Sequence, residues 1–173
     1  MFITLEELEE HRVKFDELFP PGHIDYLTEG LQQVEPLMIR GAANLLADDM
    51  EVRGQLATTM EVICARCLEP MRHAVDLSFN LVYRPISTMT RGDEFQVPRG
   101  EEELGFYHGN GLLLEEVAKE QVLLSLPIKS ICRGDCRGLC PTCGRNLNRE
   151  SCDCSAPPPD PRWWVLRGQN SSS

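Results

Sequence analysis

The sequence predicts an α+β fold: an antiparallel β-sheet body that could close into a barrel-like form, a packed helix, and a C-terminal cysteine-rich zinc module. Two observations predict the sheet: apolar and polar residues alternate along two neighbouring stretches, and a turn separates those stretches. The third observation is a set of eight cysteines with spacings typical of zinc ligands. The 173 residues suffice for one domain with its own core and a small appended module.

The first part of the chain indicates strands. Residues 4–22 begin with an acidic amphipathic stretch and end at Pro20-Pro21-Gly22, so a helix or a strand should lead into that turn. Strands should follow from Leu37 to Tyr83, with a turn at Asp48-Asp49. One strand face should carry Leu56, Thr58, Met60 and Val62. The face of the next strand should carry His73, Val75, Leu77, Phe79, Leu81 and Tyr83.

The second part indicates a loop and then a helix. Residues 85–111 are rich in glycine, proline and acidic side chains, so they should form a long acidic loop. A helix ending at Pro127 should follow, with Asn110 as its N-cap and Glu115 and Glu116 in its early turns. The predicted domains are an acidic body carrying the Cys64/Cys67 pair, a zinc module, and a proline-rich spacer with tail, over residues 1–127, 128–156 and 157–173.

The cysteines divide without remainder into two sets of four. The local set contains a zinc knuckle followed by glycine: Cys140, Cys143, Cys152 and Cys154. The long-range set contains the remaining four: Cys64, Cys67, Cys132 and Cys136. An alternative stays open in which the two CxxC pairs share one metal, as in a zinc ribbon.

Both metal sites should be structural, because a closed thiolate tetrahedron leaves no position for a reacting water. The expected cofactor is therefore zinc in two structural Cys₄ sites, although Fe²⁺ could occupy such sites in place of Zn²⁺. The chain lacks HExxH, GxSxG and GxxxxGK[ST] motifs, so no catalytic residue and no small-molecule substrate are expected. The Cys64–Cys67 pair could be redox-active with Arg66 lowering a thiol pKa, but a turn between antiparallel strands disfavours that function.

The sequence also bears on the cellular compartment and on membrane association. The acidic N-terminal residues do not match a secretory signal, and no stretch approaches the roughly 20 apolar residues of a membrane span. We therefore expect a cytoplasmic protein without membrane contact, in which cysteines bind metal and do not form disulfides.

The charge is unevenly distributed. The formal net charge is −10, yet residues 128–173 contain seven basic and four acidic side chains, against ten basic and 23 acidic ones in residues 1–127. Four arginines alternate with the cysteines of the module and are candidate RNA contacts: Arg133, Arg137, Arg145 and Arg149. Alternatively they solvate the module or bond its loops, and doubly negative Zn(Cys)₄ units would offset part of their charge.

Three motifs occur in a fixed order: Cys64-Ala-Arg-Cys67-Leu-Glu-Pro70, the helical segment from Leu112 to Pro127, and the run from Cys136 to Asn148. Together with Asp160-Pro-Arg-Trp163, they resemble the YceD family of large ribosomal RNA subunit accumulation proteins over nearly the whole chain. The chain departs from the family at Asn110-Gly111, where an acidic helix start is expected. The resemblance implies a non-enzymatic role in accumulation or processing of large-subunit (23S) ribosomal RNA, and it supports separating the Cys64 pair from the C-terminal set.

Two functions stay open. The protein could be a ribosome assembly factor that binds precursor large-subunit rRNA through the module arginines. It could instead be an adaptor whose acidic body contacts basic ribosomal proteins without touching RNA.

Overall fold

The structure is a computed structural model and describes residues 1–86, 104–155 and 162. The chain forms two compact units, of which the first is Met1–Ile63 with Pro70–Ser130 and the second is Cys64–Glu69 with Ile131–Ser173. The predicted proline-rich spacer and tail, apart from Arg162, lie outside the described residues. The predicted domain boundaries stay predictions.

The first unit contains the regular elements. In chain order they are β1 (Phe2–Thr4), α1 (Leu5–Glu10), β2 (Val13–Phe19), β3 (Leu31–Gln33), β4 (Leu37–Leu46), β5 (Asp49–Ile63), β6 (Pro70–Pro85), β7 (Leu104–Tyr107), β8 (Gly111–Leu113) and α2 (Leu114–Ser125). The main sheet has the order β2-β4-β5-β6-β7, β3 also pairs with β5, and β1 and β8 form a separate two-stranded sheet. The fold is therefore mostly sheet with helices, in agreement with the predicted α+β class.

Two details of the predicted sheet are wrong. Among the described residues β2 and β7 stand at opposite ends of the strand order, so the sheet is open and not a barrel. The sheet is also mixed, because β7 pairs with β6 in parallel, with Leu104 opposite Val82, while its other pairs are antiparallel.

The predicted alternation along the two central strands is confirmed. On β5 the predicted inward residues are all buried, and on β6 they are buried except for His73 and Leu77, which are half-buried. These strand faces form one hydrophobic core together with four residues of α2: Leu114, Val117, Ala118 and Val122. Burial of this single face fixes the register, because a slip of one residue would turn every inward side chain outward.

The predicted helix cap is wrong. Leu113 is the N-cap of α2 and makes no side-chain capping bond, whereas Asn110 lies before β8. The physical reason is that Gly111–Leu113 pair with β1, which keeps the chain extended until Leu114. Glu115 and Glu116 do lie in the first turn, as predicted.

Two further segments differ from expectation. The predicted loop 85–111 contains β7 and the first residue of β8, while residues 87–103 lie outside the described part. The N-terminal segment, expected as a helix or a strand, contains both, since α1 is closed by a capping box between Thr4 and Glu7 and β2 follows it. Neither α1 nor α2, the helices of the described chain, is long and apolar enough to cross a membrane.

A row of residues at the centre of the sheet requires two glycines. Phe15, Gly41, Gly54 and Phe79 occupy one register position across β2, β4, β5 and β6. A Cβ atom at Gly41 would lie 2.1 Å from the Arg53 carbonyl oxygen and 2.7 Å from the Phe15 ring. The phenylalanine rings therefore occupy the space that side chains at the two glycines would need.

We predict that Gly41→Ala destabilises the protein by about 1–3 kcal/mol, because the backbone carbonyl of Arg53 cannot move away without breaking the strand pairing. Urea denaturation of both variants measures the free energy of unfolding. Gly134→Ala is the matched control, since a Cβ there meets no atom within 4 Å. Equal stability of the two variants would contradict this prediction.

Candidate metal centre

The first CxxC pair lies in the turn between β5 and β6. The Cys64 N–H donates to the Glu69 carbonyl at 2.9 Å, and the Leu68 N–H donates to the Cys64 carbonyl at 2.9 Å. These two bonds fold the six residues so that Cys64 and Cys67 are both buried. The turn joins antiparallel strands and begins no helix, which is the setting that disfavours a thioredoxin-like redox pair.

The second CxxC pair has the same hydrogen bonds. The Cys140 N–H donates to the Arg145 carbonyl at 2.8 Å, and the Gly144 N–H donates to the Cys140 carbonyl at 2.9 Å. Gly144 has φ 73° and Leu68, at the equivalent position, has φ 59°. The chain therefore builds one turn twice, with a left-handed residue directly after the second cysteine each time.

The structure groups the eight cysteines into two clusters. One contains Cys64, Cys67, Cys132 and Cys136, the other contains Cys140, Cys143, Cys152 and Cys154, and within each cluster all sulfur atoms lie within 4.8 Å of one another. These are the two sets that the sequence favoured over the zinc-ribbon pairing. Sequence spacing alone left both arrangements open.

The sulfur separations suit a tetrahedral metal site. Sγ of Cys64 lies 3.9 Å from Sγ of Cys136, and Sγ of Cys67 lies 3.7 Å from Sγ of Cys132. Four sulfurs bound to zinc at about 2.3 Å stand about 3.8 Å apart. Both clusters could therefore hold a metal ion.

Hydrogen bonds support the first cluster from outside. The Cys132 N–H donates to Sγ of Cys64 at 3.4 Å, and Nδ2 of Asn148 donates to Sγ of Cys136 at 3.4 Å. Nη1 of Arg66 donates to the Cys136 carbonyl at 3.0 Å, so this guanidinium braces the backbone of the ligand loop. Such donors orient the ligands and reduce the charge density on sulfur.

The sequence pattern did not predict a functional role for Asn148. Besides its bond to sulfur, its Oδ1 accepts from the Arg137 N–H at 2.8 Å and from Nη2 of Arg133 at 3.0 Å. Its position in the conspicuous run from Cys136 to Asn148 was the only signal available. An amide that donates on one side and accepts on the other links the metal cluster to the arginine-bearing loop.

The pKa values within each cluster diverge. Backbone N–H groups, chiefly that of Cys132, lower the pKa of Cys64 to about 6, and those led by Cys143 lower the pKa of Cys140 to about 6. The side chain of Cys143 is the main cause that raises the pKa of Cys154 to about 12. The pKa is thus lowered at Cys64 and Cys136 in the first cluster and at Cys140 in the second, while ionisation of all four thiols is opposed. A central cation would remove that opposition.

The second unit has no apolar core in its described residues. Its buried residues are Cys64, Cys67, Cys136, Gly138 and Cys140. Small units of this kind bury too little apolar surface to be stable through packing alone, and metals or disulfides commonly stabilise them. The free cysteines therefore occupy the place that aliphatic side chains take in a larger domain.

The four predicted arginine contacts are all exposed, but they differ in their partners. Arg133 lies 3.3 Å from a carboxylate oxygen of Asp135, and Arg149 lies 2.8 Å from one of Glu69. Within the described part of the chain, Arg137 and Arg145 have no carboxylate within 4.0 Å. The latter two retain an uncompensated charge.

Comparisons with known proteins agree with the motifs. The family model described as large ribosomal RNA subunit accumulation protein YceD matches residues 52–168. Uncharacterised proteins of Mycobacterium tuberculosis and Mycobacterium bovis are each 33% identical over 106 residues, which is 61% of this chain and 48% of theirs. An uncharacterised protein of Mycobacterium leprae is 28% identical over 102 residues, which is 59% of this chain and 45% of its own. The chain thus spans about half the length of these relatives, and no solved structure matches it.

Two variants that each lack four cysteines should separate the two ligand arrangements. We predict that C140S/C143S/C152S/C154S retains one zinc ion per chain, because it removes one whole cluster. C132S/C136S/C152S/C154S should retain no zinc, because it removes two of the four ligands from each cluster. Elemental analysis of the purified proteins gives the ratio of metal to chain. The zinc-ribbon pairing requires the reverse result in both variants.

The clusters should also differ in how fast they release metal. Three sulfur ligands of the first cluster belong to buried residues, whereas Cys143 and Cys154 of the second are exposed. We predict that a coloured chelator removes zinc from the wild type in two phases, because water and chelator reach the second cluster more easily. C140S/C143S/C152S/C154S should show the slow phase alone, and retention of only the fast phase would contradict the prediction.

Proposed function

The chain belongs to the YceD family of large ribosomal RNA subunit accumulation proteins, and from that premise we propose that it is a non-enzymatic factor that binds large-subunit (23S) rRNA. Two structural zinc ions, one in each cysteine cluster, hold its second unit in shape. It acts in the cytoplasm during ribosome assembly, with precursor rRNA as its partner, and promotes rRNA accumulation and processing.

The observation that carries this proposal is the exposure of Arg137 and Arg145 without a carboxylate partner in the described chain. A guanidinium group that is not engaged in an ion pair can donate two parallel hydrogen bonds to a phosphate. Arg133 and Arg149 would have to give up an ion pair first. The four predicted contacts therefore divide into two available arginines and two that are engaged.

The metal sites would fix the backbone that carries the two available arginines. The Arg137 N–H is bonded to Asn148, which also donates to the sulfur of Cys136. The Arg145 carbonyl accepts from the Cys140 N–H at 2.8 Å. Since both arginine backbones are fixed by groups of the clusters, binding of metal would order the arginines before they meet RNA.

A second candidate function rests on a separate surface. Helix α1 carries four exposed carboxylates in six residues: Glu6, Glu7, Glu9 and Glu10. Basic segments of ribosomal proteins complement such a surface. In that function the protein is an adaptor, and the arginines only stabilise the fold of the module.

The two candidate functions predict different results when the arginine charges are removed. We predict that R137Q/R145Q lowers the affinity for a transcript of large-subunit rRNA at least about tenfold and flattens the dependence of log K on log salt by roughly 1–2, because two phosphate contacts are lost. Filter binding over a range of salt concentrations measures both quantities. R133Q/R149Q removes the same charge and should have the smaller effect.

The control is the metal content, which should be equal in the two arginine variants and the wild type. Crosslinking of the wild-type protein to RNA in growing cells supplies the second readout. Unchanged RNA affinity in R137Q/R145Q, with ribosomal proteins still co-purifying, would favour the adaptor and overturn RNA binding by the module.

A further inference from the structure

The first unit is acidic in composition, but one part of its sheet surface carries several positive charges. On the sheet, a shallow groove of about 860 Å³ is lined by four cationic side chains and one carboxylate. The cations are Arg12, Lys14, Arg40 and Arg53, and the carboxylate is Asp16. We call this surface the cationic groove.

The strand register places three of these cations in two adjacent rows of one sheet face. Lys14 on β2, Ala42 on β4 and Arg53 on β5 are opposite one another, and Arg40 is opposite both Asp16 and Gln55. The charged residues alternate with the buried ones along each strand, so they lie on the face directed away from the core. Neighbouring strands stand about 4.8 Å apart, so Lys14 and Arg53 flank Ala42 at about twice that spacing, and Arg40 lies diagonal to both.

Neutral partners hold two of these arginines. Nη2 of Arg40 donates to Oε1 of Gln55 at 3.1 Å, and Nε of Arg53 donates to Oδ1 of Asn80 at 3.0 Å. An amide oxygen orients a guanidinium without cancelling its charge. Arg53 also pairs with Glu51, so its charge is partly compensated.

The other cations of the groove form no ion pair with a described residue, although Asp16 is opposite Arg40 in the strand register. Within residues 1–86, 104–155 and 162, no carboxylate oxygen lies within 4.0 Å of the charged groups of Arg12, Lys14 or Arg40. Four cations share this surface with one carboxylate, so repulsion between the cations exceeds their attraction to that carboxylate. This arrangement is favourable once an anion lies between them.

Exposed apolar side chains lie beside the cations. Leu18 and Met38 are opposite each other in the next row of the same face and are 63% and 44% exposed. A strand of RNA combines charged phosphates with flat bases that have little polar surface on their faces. A cationic row next to an apolar pair matches that combination, whereas an acidic peptide needs only the cations.

We propose that the cationic groove binds the sugar-phosphate backbone of a single-stranded RNA segment, with unpaired bases against Leu18 and Met38. This inference rests on the proposed function, in that RNA is the partner, but it assigns a second contact surface on the first unit. Guanidinium and ammonium groups on adjacent strands contact successive phosphates of one RNA strand.

The test compares two pairs of neutralising substitutions. K14Q/R40Q removes two groove charges, and R72Q/K119Q removes two charges from the first unit outside the groove. Binding of a fluorescent oligouridine is measured by anisotropy at several salt concentrations. K14Q/R40Q should weaken binding about fivefold or more and flatten the salt dependence by roughly 1.4, since each single-strand phosphate contact contributes about 0.7, while R72Q/K119Q should bind like the wild type.

A second measurement guards against misfolding of the variants. Photocrosslinking of 4-thiouridine oligonucleotides to the wild-type protein, followed by mass spectrometry, should identify peptides that contain Lys14 or Arg40. Equal affinity of K14Q/R40Q and R72Q/K119Q for the oligouridine, without crosslinks in β2 or β4, would overturn the proposal that the groove binds RNA.

The failures of the two proposals can be told apart. If R137Q/R145Q loses oligouridine binding and K14Q/R40Q does not, RNA binding by the groove is overturned and RNA binding by the module is supported. If only K14Q/R40Q loses binding, the groove stands and binding by the module arginines fails. If the wild type binds an acidic peptide and no RNA, both are overturned.

Discussion

Four thiols whose sulfur atoms lie within 4.8 Å of one another cannot all carry negative charge unless a cation lies between them. This constraint governs the second unit, because its described residues bury cysteines and no aliphatic or aromatic side chain. In the proposed zinc-bound state, the free energy of metal binding is therefore also the free energy that folds this unit. Every hydrogen bond that positions its arginines then depends on the metal, including those made by Asn148.

The first pair of ligands lies in a turn of unfavourable backbone conformation. The ladder between β5 and β6 runs from Met50 opposite Tyr83 to Ile63 opposite Pro70, so the turn begins at Cys64 in a fixed register. Leu68 completes that turn at φ 59°, a conformation that costs a non-glycine residue about 1–2 kcal/mol. The bonds from Cys64 to Glu69 and from Leu68 to Cys64, at 2.9 Å each, offset part of that cost. Hydrogen bonds within the turn thus stabilise a backbone conformation that is unfavourable for Leu68.

The difference between local and long-range information explains which features the sequence could predict. The alternation on β5 and β6 and the two CxxC turns are local patterns, and the structure has them where they were expected. By contrast, β7 and β8 are short, and β8 exists because Phe2 reaches Leu113 across the chain. That pairing also displaced the helix start from Asn110. Likewise, only the folded chain brings Glu69 to Arg149 and thereby distinguishes the engaged arginines from the available ones.

Net charge is a poor guide to the partner of this protein. A charge of −10 over the chain disfavours nonspecific attraction to nucleic acid, but charges more than about 10 Å apart are largely screened in physiological salt. A bound RNA strand would therefore interact mainly with nearby charges. The surface around Arg137 and Arg145 and the cationic groove are both candidates for that contact, because each carries exposed cations. The first of these surfaces lies on a unit whose thiolate clusters add negative charge, whereas no cysteine lies in the first unit. In the proposed complex, the module should therefore contribute more through hydrogen bonds from oriented arginines than through its electrostatic field.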